Sequence, residues 1–122
     1  MFQGLRTCIY YVDDLEKAKE WYTKVLGKGP YFDQPYYVGF NVGGYELGLH
    51  PKDKNNKAGS GGVSVYWGVA DAKETFQKLL EIGATLHEDI MNVGGNILVA
   101  SVIDPFGNIL GIIENPDFKL EN

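Results

Sequence analysis

The chain has 122 residues, of which 44% are hydrophobic and 22% charged, values that indicate one small globular domain and exclude a two-lobed enzyme. No apolar run approaches the roughly 18 residues of a membrane span, and a net charge of −5 argues against the concentrated basic surface of a duplex-binding protein. The single cysteine, Cys8, cannot form an internal disulfide, and the N-terminus lacks a signal-peptide pattern, so we expect a cytoplasmic protein without nucleic-acid or membrane partners.

The first part of the chain predicts a strand, a helix and three more strands. Residues 7–12 are β-branched and aromatic, which is typical of a strand. A helix over 14–26 follows, because apolar residues recur at spacings of three and four, with Asp13 and Glu16 resembling a capping box and Gly27 ending it. The pattern then predicts short strands at 31–32, 36–40 and 45–50, the last two joined as a hairpin.

The same order of elements returns after a polar, glycine-rich connection at 51–62. A strand is predicted at 64–69, then a helix that begins after Asp71 and ends at Gly83, and then strands at 85–87, 96–103 and 109–114. We therefore predict a single domain of two modules, 1–58 and 59–122. A unit of about sixty residues has a marginal core of its own, so the modules should bury their sheets against each other or against a second chain.

Two stretches carry a resemblance to a known family. They are Val12-Asp13-Asp14-Leu15-Glu16-Lys17-Ala18 with Trp21-Tyr22 and Leu26-Gly27, and the turn Asp104-Pro105-Phe106-Gly107-Asn108 before the last strand. With the repeat, they make the chain resemble the vicinal oxygen chelate superfamily, which contains glyoxalase I, bleomycin-resistance proteins, fosfomycin-resistance enzymes and extradiol dioxygenases. The resemblance implies an α+β fold of two tandem βαβββ modules whose curved mixed sheets enclose a cleft, commonly in a homodimer.

The resemblance also identifies four positions where metal-using members carry His or Glu ligands. They fall on Thr7 and Gly48 in the first module and on Ser64 and Gly111 in the second. None of these residues is a competent His or carboxylate ligand for a divalent cation. We therefore expect no metal cofactor. The alternative is a divergent metal site that uses Glu46 and His50, which share a strand face with Gly48.

Strand alternation predicts a concave wall of aromatic, aliphatic and hydroxyl side chains, which is the usual composition of a small-molecule pocket. The alternative is that these side chains only fill the core. The leading hypothesis is metal-independent binding of a small, partly aromatic or apolar molecule in the cleft, where the glycines leave room. The rivals are a divergent metal-dependent lyase, isomerase or dioxygenase, and a sensing or interaction module; no catalytic residue is predicted. The predicted ligand-binding residues are Thr7, Ile9, Tyr11, Gly48, Ser64, Tyr66, Ile109 and Gly111.

Overall fold

The order strand, helix, three strands occurs twice in the computed structural model, which describes residues 1, 3, 5–61 and 63–120. Gly62, in the predicted connection, lies outside the described residues. The chain divides into two compact units, Met1–Gly59 and Ser60–Asn122. The first contains β1 (Thr7–Val12), α1 (Leu15–Leu26), β2 (Phe32–Gln34), β3 (Tyr37–Val42) and β4 (Tyr45–Pro51); the second contains β5 (Tyr66–Gly68), α2 (Ala72–Glu81), β6 (Thr85–Asn92), β7 (Leu98–Ile103) and β8 (Ile109–Glu114).

Each unit builds one mixed four-stranded sheet. The strand order is β1-β4-β3-β2 in the first sheet and β5-β8-β7-β6 in the second. The first strand of each unit runs parallel to the last, and the other neighbours are antiparallel. The predicted α+β class and the βαβββ repeat are confirmed. Among the described residues, no helix is long and apolar enough to cross a membrane.

The first sheet buries one face against its helix. Tyr10 and Val12 of β1 alternate with the more exposed Thr7, Ile9 and Tyr11, so one side of the strand faces the core and the other faces away. On the core side, the Tyr10 and Tyr22 rings stack with centroids 6.1 Å apart, which ties β1 to α1. The other buried side chains of this core are Ala18, Trp21, Val38, Phe40, Leu47 and Leu49.

Aspartates cap both helices, one residue later in α1 than the sequence pattern suggests. Asp14 accepts a hydrogen bond from the Lys17 backbone N–H at 3.1 Å and is the N-cap, so the predicted capping box of Asp13 with Glu16 is wrong. Gly27 ends α1 in the left-handed region at φ +73°, as predicted. In the second unit, Asp71 caps α2 in the same way through the Glu74 N–H at 3.0 Å.

The second sheet departs from prediction at both of its edge strands. β5 begins at Tyr66, so Ser64 precedes the strand instead of belonging to it. β6 continues to Asn92, well past the predicted 85–87, with register shifts along its pairing to β7. Its residues are mostly exposed and polar, so backbone pairing with β7 rather than apolar alternation maintains the strand.

Candidate functional site

The side of the first sheet that faces away from α1, which we call the open face, collects most of the predicted first-module site. In the register of β1 with β4, Thr7 lies opposite Glu46, Ile9 opposite Gly48 and Tyr11 opposite His50. β3 adds residues opposite this part of β4. Strand alternation therefore brings Thr7, Ile9, Tyr11 and Gly48 onto one surface, together with Glu46 and His50.

Glu46 is the centre of a hydroxyl network on the open face. Its Oε1 accepts hydrogen bonds from the Thr7 hydroxyl and the Tyr37 hydroxyl, both at 2.6 Å. Its Oε2 accepts a hydrogen bond from the Tyr31 hydroxyl. Gly39 permits this arrangement, because a Cβ at that position would come within 2.8 Å of Oε2. Three hydroxyl donors thus hold one carboxylate in a fixed position.

The same network determines the protonation states of its members. Partial burial tends to raise the pKa of Glu46, but the hydrogen bonds from Thr7, Tyr31 and Tyr37 outweigh it and hold the pKa below its ordinary value. Burial, together with the bond to Glu46, raises the pKa of Tyr37 to about 12. The bond to Glu46 also raises the pKa of Tyr31. Near neutral pH the cluster is therefore one carboxylate among neutral hydroxyls.

Tyrosine side chains fill the space beside the two glycines at the last-strand positions. A Cβ on Gly48 would overlap the Tyr37 hydroxyl and lie 2.7 Å from its Cζ atom. A Cβ on Gly111 would overlap the Val65 carbonyl oxygen and lie 2.8 Å from Cδ1 of Tyr66. In this structure tyrosine side chains therefore take up the space that the prediction assigned to a ligand, and binding of a ligand beside these glycines stays a prediction. Each glycine accommodates a tyrosine of its own unit.

The four positions that the resemblance assigns to metal ligands do not fit a divalent cation. The Thr7 hydroxyl already donates to Glu46, and Ser64 is an exposed residue outside β5. Gly48 and Gly111 offer no donor atom, and their neighbouring space is occupied. Among the residues that the structure describes, no group of three or more His, Cys, Asp or Glu side chains converges on a common point.

Glu46 and His50 do not form a two-residue alternative site. They lie four residues apart on β4, which separates their Cα atoms by about 13 Å. The Tyr37 side chain lies between them, since its hydroxyl bonds Glu46 and its ring centroid is 6.2 Å from that of His50. The Nδ1–H of His50 donates to the Pro51 carbonyl at 2.6 Å, which fixes the imidazole at the strand end.

The second sheet carries the remaining predicted site residues. Tyr66 is 43% exposed and lies opposite Gly111 on β8. Ile109 begins β8 and is half-buried. Sequence reasoning missed Ser101, a buried hydroxyl opposite Gly111 that lies 2.7 Å from Nδ1 of His87. The predicted site residues thus form two sets, one on each sheet, whereas Ser64 lies before β5 and belongs to no strand.

A pocket of about 380 Å³ opens beside the Glu46 network. All of its lining residues belong to the first unit. They lie at the start of β1, before β2 and in the β3–β4 hairpin. Sequence analysis identified only Thr7 and Glu46 of this set. The sequence signal that could have indicated this site is the presence of Gly39 and Gly48 in two strands of one predicted hairpin that also contains tyrosines. The two glycines pair with each other in the structure, and bulky side chains pack beside them. The pocket is lined by Arg6, Thr7, Tyr31, Asn41, Gly44, Tyr45 and Glu46.

Known structures share this fold at low sequence identity. A glyoxalase-related enzyme from Fulvimarina pelagi is 20% identical with a TM-score of 0.79, and the match covers 98% of this chain and 94% of that one. A lactoylglutathione lyase from Agrobacterium tumefaciens is 18% identical with a TM-score of 0.73, and the match covers 99% of this chain and 100% of that one. A fosfomycin resistance protein from Listeria monocytogenes is 13% identical with a TM-score of 0.75, and the match covers 96% of this chain and 97% of that one.

Comparison with curated proteins found no match. The sequence itself matches the Glyoxalase/Bleomycin resistance protein/Dioxygenase superfamily over residues 4–112, nearly its whole length. The resemblance drawn from the sequence motifs is confirmed. The two βαβββ units, their pairing pattern and the family match together show that this chain belongs to the glyoxalase/bleomycin resistance protein/dioxygenase superfamily.

Proposed function

We propose that this chain binds a small, partly aromatic or apolar molecule on the open face of its first sheet, without a metal ion. The observation that carries the proposal is the pocket of about 380 Å³ beside Glu46, with tyrosines in its walls. The pocket is shallow and open, and its volume lies at the lower end of the range of small-molecule sites. The superfamily takes its name from glyoxalases, bleomycin resistance proteins and dioxygenases, and these names refer to small molecules.

The open face offers apolar contact next to this pocket. Ile9 is 37% exposed and Tyr31 is 64% exposed, so both present apolar surface to solvent. Tyr11 is half-buried beside the His50 ring, with ring centroids 5.3 Å apart. Tyrosine rings stack on planar ligands while their hydroxyls orient them. A ligand with an aromatic or aliphatic body therefore fits this surface better than a uniformly polar one.

Metal-independent binding is supported by the poor fit of a cation to the open face. Thr7, Tyr31 and Tyr37 already donate to Glu46, and Tyr37 fills the space at Gly48. A divalent cation would have to displace these hydroxyls and would then find a single carboxylate. The site is therefore suited to hydrogen bonding and stacking rather than to chelation.

A thermal-shift screen over aromatic metabolites, antibiotics and α-keto hemithioacetals tests the proposal. A compound that binds the native protein at about 100 times its Kd stabilises it by roughly 2.7 kcal/mol, which is a shift of several degrees in Tm. We expect at least one hit without added metal. Absence of any shift across the screen would contradict the proposed function.

Two matched variants locate the bound compound. Ile9 on the open face and Ile82 at the end of α2 are both 37% exposed. We expect Ile9→Thr to weaken binding of a hit about threefold to tenfold through lost apolar contact. Ile82→Thr should leave its Kd unchanged. Equal effects of the two substitutions would place the ligand elsewhere.

A further inference from the structure

The pocket beside Glu46 contains one acidic and one basic side chain that do not pair with each other. Glu46 takes part in none of the ion pairs among the described residues. Arg6 instead donates to Gln3 Oε1 at 3.2 Å and to the Leu5 carbonyl at 3.5 Å. The hydroxyls around Glu46 stabilise its negative charge without neutralising it. Among the described residues the carboxylate therefore has no ion-pair partner, although Arg6 lines the same pocket.

Glu46 also retains capacity to accept a hydrogen bond. A carboxylate has about four acceptor sites, two on each oxygen. Oε1 accepts from both Thr7 and Tyr37, whereas Oε2 accepts only from Tyr31. One acceptor site on Oε2 is therefore available to a donor on a ligand, and a cationic donor would form the stronger, charge-assisted bond.

A tyrosine adjoins this carboxylate in the pocket wall. Tyr31 reaches Oε2 through its hydroxyl and lines the pocket, and its side chain is 64% exposed. The face of a tyrosine ring attracts an organic cation within about 6 Å of its centroid. A carboxylate beside an aromatic ring favours an ammonium group attached to a carbon framework. A bare divalent ion would meet a single carboxylate in this pocket, and no group of three His, Cys, Asp or Glu side chains forms among the described residues.

We propose that the pocket formed around Glu46 binds the ammonium group of a small organic amine, which donates to Oε2 while its carbon body packs on Tyr31. This inference rests on the proposed small-molecule function and specifies the charge of the ligand. Arg6 opposes it mildly, because a second positive charge lines the same pocket. The tyrosine hydroxyls compensate by holding the carboxylate in place before the amine arrives.

The test is an NMR titration at pH 7 with three probes of similar shape: phenethylamine, 2-phenylethanol and 3-phenylpropionate. The wild-type protein should bind the amine at least about tenfold more tightly than the alcohol, and the carboxylate probe most weakly. Glu46→Gln should reduce the preference for the amine to about twofold or less. Glu20→Gln, which removes the same charge from the exposed side of α1, should preserve it.

A second pair of variants tests the inference even if the Glu46→Gln variant does not fold. Tyr31→Phe retains the carboxylate charge and frees another acceptor site on Oε2, so the preference for phenethylamine should persist. Arg6→Gln removes the opposing charge and should tighten phenethylamine binding without changing that of 2-phenylethanol. Equal binding of amine and alcohol by the wild type would overturn the inference and leave the proposed function standing. Absence of phenethylamine binding would also overturn it, and the wider screen then decides the proposed function.

Discussion

Tyr37 connects the two unusual features of the open face. Its hydroxyl donates to Glu46 at 2.6 Å and also occupies the space where a side chain at position 48 would begin. With Tyr37 in this position no side chain fits at Gly48, although the backbone of Gly48 adopts no left-handed conformation. The sequence shows the glycine but not the residue that requires it, because Tyr37 lies eleven positions away and meets Gly48 only through strand pairing.

Gly48→Ala should destabilise the protein, because the added methyl group forces Tyr37 away from Glu46. We expect a loss of about 1–3 kcal/mol in the free energy of unfolding, as for overpacked cores. Urea denaturation of the variant and the wild type measures it. Gly29→Ala is the matched control, since a Cβ there meets nothing within 4 Å, and it should change stability by less than about 0.5 kcal/mol.

A double-mutant cycle identifies Tyr37 as the cause. In a Tyr37→Ala background the methyl group at position 48 finds space, so Gly48→Ala should cost clearly less there than in the wild type. An unchanged cost in that background would show that backbone strain, rather than Tyr37, opposes a side chain at this position.

Glu46→Gln should have a pH-dependent effect on stability. The folded protein lowers the pKa of Glu46 from its ordinary value of 4.5. Its ionised form therefore stabilises the fold fully above that value, and this contribution is lost as the pH falls through the lowered folded pKa. The pKa values of Tyr31 and Tyr37 are raised, so these hydroxyls do not titrate in the acidic range.

Denaturation at two pH values measures this effect. We expect Glu46→Gln to cost about 1–3 kcal/mol at pH 7, from weakened charge-assisted hydrogen bonds, and distinctly less near pH 3. Glu20→Gln, on the exposed side of α1, should show no such trend. A Glu46→Gln penalty of the same size at both pH values would contradict the assignment.

At the scale of elements, the sequence predicts best those with a continuous run of apolar or β-branched residues, or a helical apolar spacing, between clear end signals. β1 and β8 match their predicted bounds, 7–12 and 109–114, and α1 differs by one residue. β6 could not be delimited because its exposed polar residues carry no alternation and the strand exists through its pairing with β7. β5 is shorter than its apolar pattern, since only residues 66–68 pair with β8.

The cap of α1 gives a sharp test at this scale. Asp14 accepts from the Lys17 N–H, whereas Asp13 is an exposed residue outside the cap. Asp14→Ala should lower the free energy of unfolding by about 1 kcal/mol, and Asp13→Ala by only a few tenths. Chemical denaturation of both variants decides between them. A larger loss in the free energy of unfolding for Asp13→Ala than for Asp14→Ala would instead support the capping box of Asp13 with Glu16 that the sequence pattern suggests.

At the scale of the whole molecule, the repeat and the family were predictable because the order of elements and the turn motifs survive low identity. The first-sheet part of the site was predictable from alternation, which brought Thr7, Ile9, Tyr11 and Gly48 to one face. Tyr31, Tyr37 and the pocket were not, because their roles depend on contacts between strands. The homodimer and the cleft between modules stay predictions, and light scattering in solution tests the first.

Treatment with a chelator should leave the thermal stability of the protein unchanged. No described residues form a group that could bind a metal ion, so metal should add no stability to the native state. We expect Tm to shift by less than about 1 °C on adding a chelator, or on adding Zn²⁺, Ni²⁺, Mn²⁺ or Fe²⁺. A chelator-sensitive Tm, with about one equivalent of metal by elemental analysis, would overturn metal-independent binding.

The contact of Tyr37 with Gly48 has a consequence for redesign. A His or Glu side chain introduced at position 48 would begin where the Tyr37 hydroxyl now lies, so the tyrosine would have to move. That movement would withdraw a hydroxyl from Glu46 at the same step. A chelating residue at this position is therefore coupled to the hydroxyl network, and a design that introduces one has to treat positions 37, 46 and 48 together.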